Sequence, residues 1–125
     1  MTCNPIVWFE IYVQDMARAK RFYEAVFGFS LTRLESPIPG MELWSFPMQK
    51  DAPGATGALV KMEGKDSGGG GTLIYFSCAD CSAEAARAAA SGGRIFREKF
   101  PIGQYGFIAL VYDTEGNMIG LHSME

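Results

Sequence analysis

The sequence predicts an α+β fold of two tandem βαβββ modules that join their strands in one eight-stranded mixed sheet. Three observations carry this reading. A strand with period-2 alternation runs directly into a capped amphipathic helix near the N-terminus. The same arrangement returns 65 residues later, and a glycine-rich connector separates the two copies.

In the first copy, Val7, Phe9, Ile11 and Val13 alternate with Trp8, Glu10, Tyr12 and Gln14, the spacing of a strand with two distinct faces. Asp15 stands where a helix needs a side-chain acceptor for its unpaired N–H groups. Beyond it, Ala19, Phe22, Tyr23, Val26 and Phe27 fall on one helical face and Arg18, Lys20, Arg21 and Glu24 on the rest; Gly28 ends the helix. Residues 29–35 and 41–48 are predicted strands, separated by a segment whose Pro37 and Pro39 cannot donate to a ladder. A fourth strand covers Thr56–Met62, after the turn residues 51–54.

The second copy opens with Thr72, Ile74, Phe76 and Cys78 alternating with Leu73, Tyr75 and Ser77. Asp80 then caps an alanine-rich helix that stops at Gly92 and Gly93. Asp15 and Asp80 are 65 residues apart, and so are Gly28 and Gly93, so capping residue and terminating glycine repeat at one offset. Residues 94–98, 105–112 and 117–123 complete the unit, with 113–117 as a tight turn. Module one thus runs from about 5 to 63, the linker from 64 to 71, and module two from about 72 to 123. One such module buries little by itself, so the two are expected to share a core as a single domain; 125 residues, 48% of them hydrophobic, suit that.

A net charge of -3 without a basic stripe argues against a nucleic-acid partner. No apolar stretch reaches the roughly 18 residues of a membrane span, and no signal peptide is visible, so a cytoplasmic protein is expected. Three cysteines suit free thiols in a reducing compartment. Cys78 and Cys81 form a CxxC, but no second CxxC or histidine cluster accompanies it, which favours a structural role over redox or zinc chemistry.

The run from Trp8 to Asp15, followed by Ala19–Tyr23 and Phe27-Gly28, resembles the opening of glyoxalase/bleomycin-resistance/extradiol-dioxygenase (vicinal oxygen chelate) proteins. The segment Tyr112–Leu121 resembles their closing hairpin, and Tyr75–Ser77, Gly92–Arg94 and Pro101–Phe107 are similar to an uncharacterised branch related to lactoylglutathione lyase. The resemblance implies a cupped eight-stranded sheet, helices on its convex side and a ligand pocket in the cup. The apolar face of the first strand would then pack on helices, leaving Trp8, Glu10 and Tyr12 inward. The repeat offset places Leu73, Tyr75 and Ser77 inward as well, and Met118, Gly120 and His122 on the last strand face the same way. Trp44 and Phe107 are further expected to line the pocket.

Enzymes of this superfamily seat a divalent metal on their first, fourth, fifth and eighth strands, where it polarises vicinal oxygens. Carried over by position, those four slots are Trp8, Ala58, Leu73 and Gly120, none of them a metal ligand. No cofactor is therefore predicted. The first functional reading is a metal-free protein that binds a small organic molecule, planar or cationic, through Trp8, Tyr12, Trp44, Tyr75, Ser77, Phe107 and Met118. The alternative is a lyase, isomerase or dioxygenase of the same superfamily, with a shifted divalent-metal site or with Glu10 and His122 as an acid/base pair in which Glu10 orients the imidazole. A non-catalytic interaction module is the third. Open sheet edges and the habit of the superfamily point to a homodimer.

Overall fold

The computed structural model describes residues 4–125; the expected free thiol of Cys3 lies outside the described residues. The described chain forms two compact units, one of 8–72 and one in which Leu73–Glu125 are joined by residues 4–7.

In the first unit, β1 (Ile6–Tyr12) leads through Asp15 into α1 (Met16–Phe27), followed by β2 (Thr32–Leu34), β3 (Met41–Ser45) and β4 (Thr56–Met62). The order is β2-β3-β4-β1, antiparallel except for the parallel β4–β1 pair. Asp15 accepts from the Arg18 amide at 3.1 Å. Gly28 takes the left-handed φ of 74° and donates to the Glu24 carbonyl, which closes the helix as its residue type predicts. The apolar face of β1 does pack on the helix: Phe9, Ile11 and Val13 meet Met16, Ala19 and Tyr23, together with Leu31, Phe46 and Leu59. Phe46 forms T-shaped pairs with Tyr23 and Phe29 at centroid distances of 5.5 and 5.6 Å, each pair contributing about 0.5–1.5 kcal/mol beyond area burial. Gly57 sits opposite Phe9 in the β1–β4 register. A Cβ there would meet the Phe9 carbonyl oxygen and lie 2.7 Å from its Cγ.

The second strand is shorter than its alternation predicts. The Leu31 amide is taken by the Glu24 carboxylate at 2.9 Å, and Phe29 stacks on Phe27 at 5.6 Å, so residues 29–31 serve the helix rather than the ladder. Pro47, which lacks an N–H, stands just beyond the end of β3.

In the second unit, β5 (Thr72–Ser77), α2 (Cys81–Ala90), β6 (Arg94–Pro101), β7 (Phe107–Tyr112) and β8 (Met118–Ser123) repeat the pattern in the order β5-β8-β7-β6. Asp80 caps α2 by accepting from the Ser82 amide, and the helix packs Cys81 and Ala85 on Ala109, Val111 and Leu121. β6 runs further than predicted, with register shifts after Ile95 and Arg97; β7 starts later, because Gly103–Tyr105 closes as a 3-10 turn. Cys81 is fully buried and Cys78 partly so, both as free thiols. Burial pushes the Cys78 thiol up to about 11, so Cys78 is not the depressed thiol of a redox pair.

Among the described residues, two βαβββ modules, eight strands of mixed pairing and two helices make up the predicted fold class. Among the described residues no helix is long and apolar enough to cross a membrane.

Candidate ligand site

On the face of β1 turned away from α1, Trp8, Glu10 and Tyr12 stand in line, opposite Thr56, Ala58 and Val60 of β4. Residues two apart share a face of a strand, and both rings are long enough to reach the acid between them. The Tyr12 hydroxyl donates to Glu10 Oε1 at 2.9 Å, and Trp8 Nε1 donates to Oε2 at 3.2 Å. Glu10 is only 7% exposed. A buried carboxylate is tolerated when its oxygens meet donors, and charge-assisted bonds of this kind are the strong ones. Burial, then the charge of Glu10 and the hydrogen bond to it, hold the Tyr12 phenol far above its usual range. Tyr12 therefore stays protonated and keeps donating.

In the second module, β5 and β8 run parallel with Tyr75 opposite Gly120 and Ser77 opposite His122. Tyr75 is buried, His122 and Met118 half-buried, and Ser77 exposed. His122 Nε2 lies 2.6 Å from the Tyr105 carbonyl oxygen. A carbonyl only accepts, so the neutral ring carries its hydrogen on Nε2 and leaves Nδ1 as the basic nitrogen. The partner of Nε2 is thus a backbone carbonyl on the 103–106 loop.

Two predicted pocket residues face the other way. Trp44 pairs with the core residue Leu59 and packs on the helix-side cluster. Lys20 of α1 sits 3.5 Å from its ring centroid, and its Nε1 donates to Glu42 at 2.8 Å. Phe107 shares the parity of Ala109 and Val111 and packs with them against α2, with the Lys99 ammonium 4.7 Å from its ring. The face of an interior strand is decided by its register against neighbours, and neither β3 nor β7 alternates cleanly enough to reveal it. Ser45, which no sequence motif marks, is also 4% exposed on the Glu10 face and donates to the Phe46 carbonyl.

The four expected metal slots hold Trp8, Ala58, Leu73 and Gly120, and among the described residues no group of three or more His, Cys, Asp or Glu could hold an ion. An indole N–H only donates, and the other three side chains offer nothing. The residues present do not fit a divalent metal at those positions. Module one also carries a cleft of about 630 Å³ bordered by Arg33, Glu42, Lys61 and Lys65, and an apolar one of about 410 Å³ bordered by Phe9, Tyr23, Phe27 and Phe46. Glu10 lines neither.

Fold and site thus define a protein of paired βαβββ modules in which Glu10 and Tyr12 of one module, and Tyr75 and His122 of the other, stand on strand faces turned away from the helices. The family profile described as Glyoxalase/Bleomycin resistance protein/Dioxygenase superfamily matches residues 5–121, and the chain belongs to that superfamily. Among solved structures it is similar to a single-site variant of Streptomyces coelicolor methylmalonyl-CoA epimerase in complex with 2-nitronate-propionyl-CoA, at 20% identity over 96% of both chains with a TM-score of 0.68. The epimerase from Mycobacterium tuberculosis gives 18% identity, 97% and 88% coverage and a TM-score of 0.68. A hypothetical protein from Bacillus halodurans C-125 gives 12% identity, 96% and 94% coverage and a TM-score of 0.71. No curated protein matches. At these identities the likeness speaks for the fold alone.

Proposed function

We propose that this superfamily member binds a small organic molecule on the Glu10 face of module one, without a divalent metal. The observation that carries the reading is the buried Glu10 carboxylate fixed between two side-chain donors, Trp8 and Tyr12. An acid held in one geometry beside two aromatic rings is suited to a flat ligand bearing a cation or an N–H donor, since the rings offer stacking surface and the carboxylate the polar anchor. Trp44 and Phe107 drop out of the expected lining, and Trp8 and Tyr12 remain its aromatic members in module one. The protein would act as a homodimer in the cytoplasm.

The test is thermal-shift screening of the wild type with planar amines and guanidinium compounds, repeated on Glu10→Gln. A ligand that raises Tm in the wild type and not in the variant supports the reading; a ligand that stabilises both equally removes Glu10 from the site. Light scattering on the purified protein at micromolar concentration checks the dimer, and a mass of 13.7 kDa refutes it.

A second reading, isomerase chemistry, is favoured by the basic Nδ1 of His122 and by the epimerases among the structural neighbours, one of them in complex with methylmalonyl-CoA. Proton exchange from D2O into the acyl α-carbon of methylmalonyl-CoA, abolished in His122→Ala, would establish it. No exchange would leave binding as the function.

A further inference from the structure

We infer that the ring of Tyr75 fills the place where the superfamily seats its last-strand metal ligand, and that Gly120 is glycine to make room for that ring. This deepens the metal-free part of the proposed function and rests on it.

The register puts Tyr75 of β5 directly opposite Gly120 of β8. A Cβ built on Gly120 would fall on the tyrosine ring itself, against Cδ2 and Cε2 and 2.7 Å from Cγ. Three ring atoms of a residue that is 6% exposed have no open space to move into, so any side chain at position 120 competes with Tyr75. Conformation does not require the glycine, since Gly120 is absent from the glycines with left-handed φ. A glycine inside a strand weakens it, and its use here is the close approach of the ring.

The internal repeat gives the same arrangement in module one. Glu10 and Tyr75 are 65 residues apart, and Ala58 and Gly120 are 62 apart. Glu10 lies opposite Ala58 in the parallel β1–β4 pair, as Tyr75 lies opposite Gly120 in the parallel β5–β8 pair. Each module therefore sets a large polar side chain of its first strand opposite a minimal residue of its last strand. In both modules the minimal residue stands at a position assigned above to a metal ligand. While the Tyr75 ring stands against position 120, restoring a ligand there alone cannot restore the site.

The experiment is a cycle of Gly120→Ala, Tyr75→Ala and their double variant, read by thermal melting, with Gly120→Glu and Tyr75→Ala/Gly120→Glu added for metal retention. Gly120→Ala should lower Tm by roughly 5–15 °C through overpacking. In the Tyr75→Ala background the same substitution should cost little, because the ring is gone. Should Gly120→Ala fail to express, Tyr75→Ala/Gly120→Ala should still fold and melt close to Tyr75→Ala. Dialysis against Zn, Ni or Mn should leave no stoichiometric metal on the wild type or on Gly120→Glu. Equal Tm losses in both backgrounds, or a wild-type Gly120→Ala melt, would overturn the inference. A failed ligand screen with the cycle intact would overturn only the ligand reading. Roughly one metal per wild-type chain would overturn both.

Discussion

Replacing Tyr12 by phenylalanine keeps the ring that packs beside Glu10 and deletes only the hydroxyl. The acid then loses the 2.9 Å donor on Oε1 and keeps the 3.2 Å indole donor on Oε2. A hydrogen bond to a charged group contributes about 1.5–3 kcal/mol, and that is the loss expected here. With Glu10 at 7% exposure, water is a poor substitute. For a domain of this length the loss corresponds to a Tm fall of roughly 5–12 °C. Urea melts of the wild type, Tyr12→Phe, Glu10→Gln and the double variant give the energies and their coupling. Gln at position 10 would turn its amide N–H2 toward one of the two donors, so Glu10→Gln should be destabilising too. The double variant should lose less than the sum by about 1 kcal/mol or more, because the second change removes an interaction already broken. A Tyr12→Phe protein within about 0.5 kcal/mol of the wild type, or purely additive losses, would show that the hydroxyl does not support the carboxylate and would refute the account of the site.

Gly57→Ala should be among the most damaging small substitutions in module one. Its Cβ meets the Phe9 backbone, which cannot rotate away as a side chain could; a loss near or above about 3 kcal/mol in chemical denaturation is expected, and a neutral result would mean that the β1–β4 pair opens there. The acid limb of stability should report Asp80. The Lys99 ammonium at 2.9 Å, then the hydrogen bonds from Ser82, hold its carboxyl at about 2, below the usual 3.8. A lowered folded value means the stabilisation is present above about 4 and is lost as pH falls toward about 2. Lys99→Met should flatten that part of a Tm-against-pH curve, and an unchanged limb would assign acid unfolding to other carboxylates.

Where local pattern and local chemistry decide, the sequence determined the outcome. Asp15, Gly28 and Asp80 stop and start helices through bonds within a few residues. The faces of β1, β5 and β8 follow from alternation, and the repeat of βαβββ follows from a shared offset. The same alternation made Glu10, Tyr12 and Tyr75 visible as candidates. Tertiary structure decided what depends on neighbours distant in the chain. Trp44 and Phe107 went to the helix side because Leu59 and the Ala109/Val111 face set their parity. Residues 29–31 left the ladder because a helix carboxylate claimed the Leu31 amide. His122 found the Tyr105 carbonyl 17 residues away, a partner that no spacing announces. Gly120 reads in the sequence as a missing ligand; only the register that lays Tyr75 across it explains why nothing larger stands there. Short-range hydrogen bonds and period are written into consecutive residues, whereas register and close approach are settled by which strands meet.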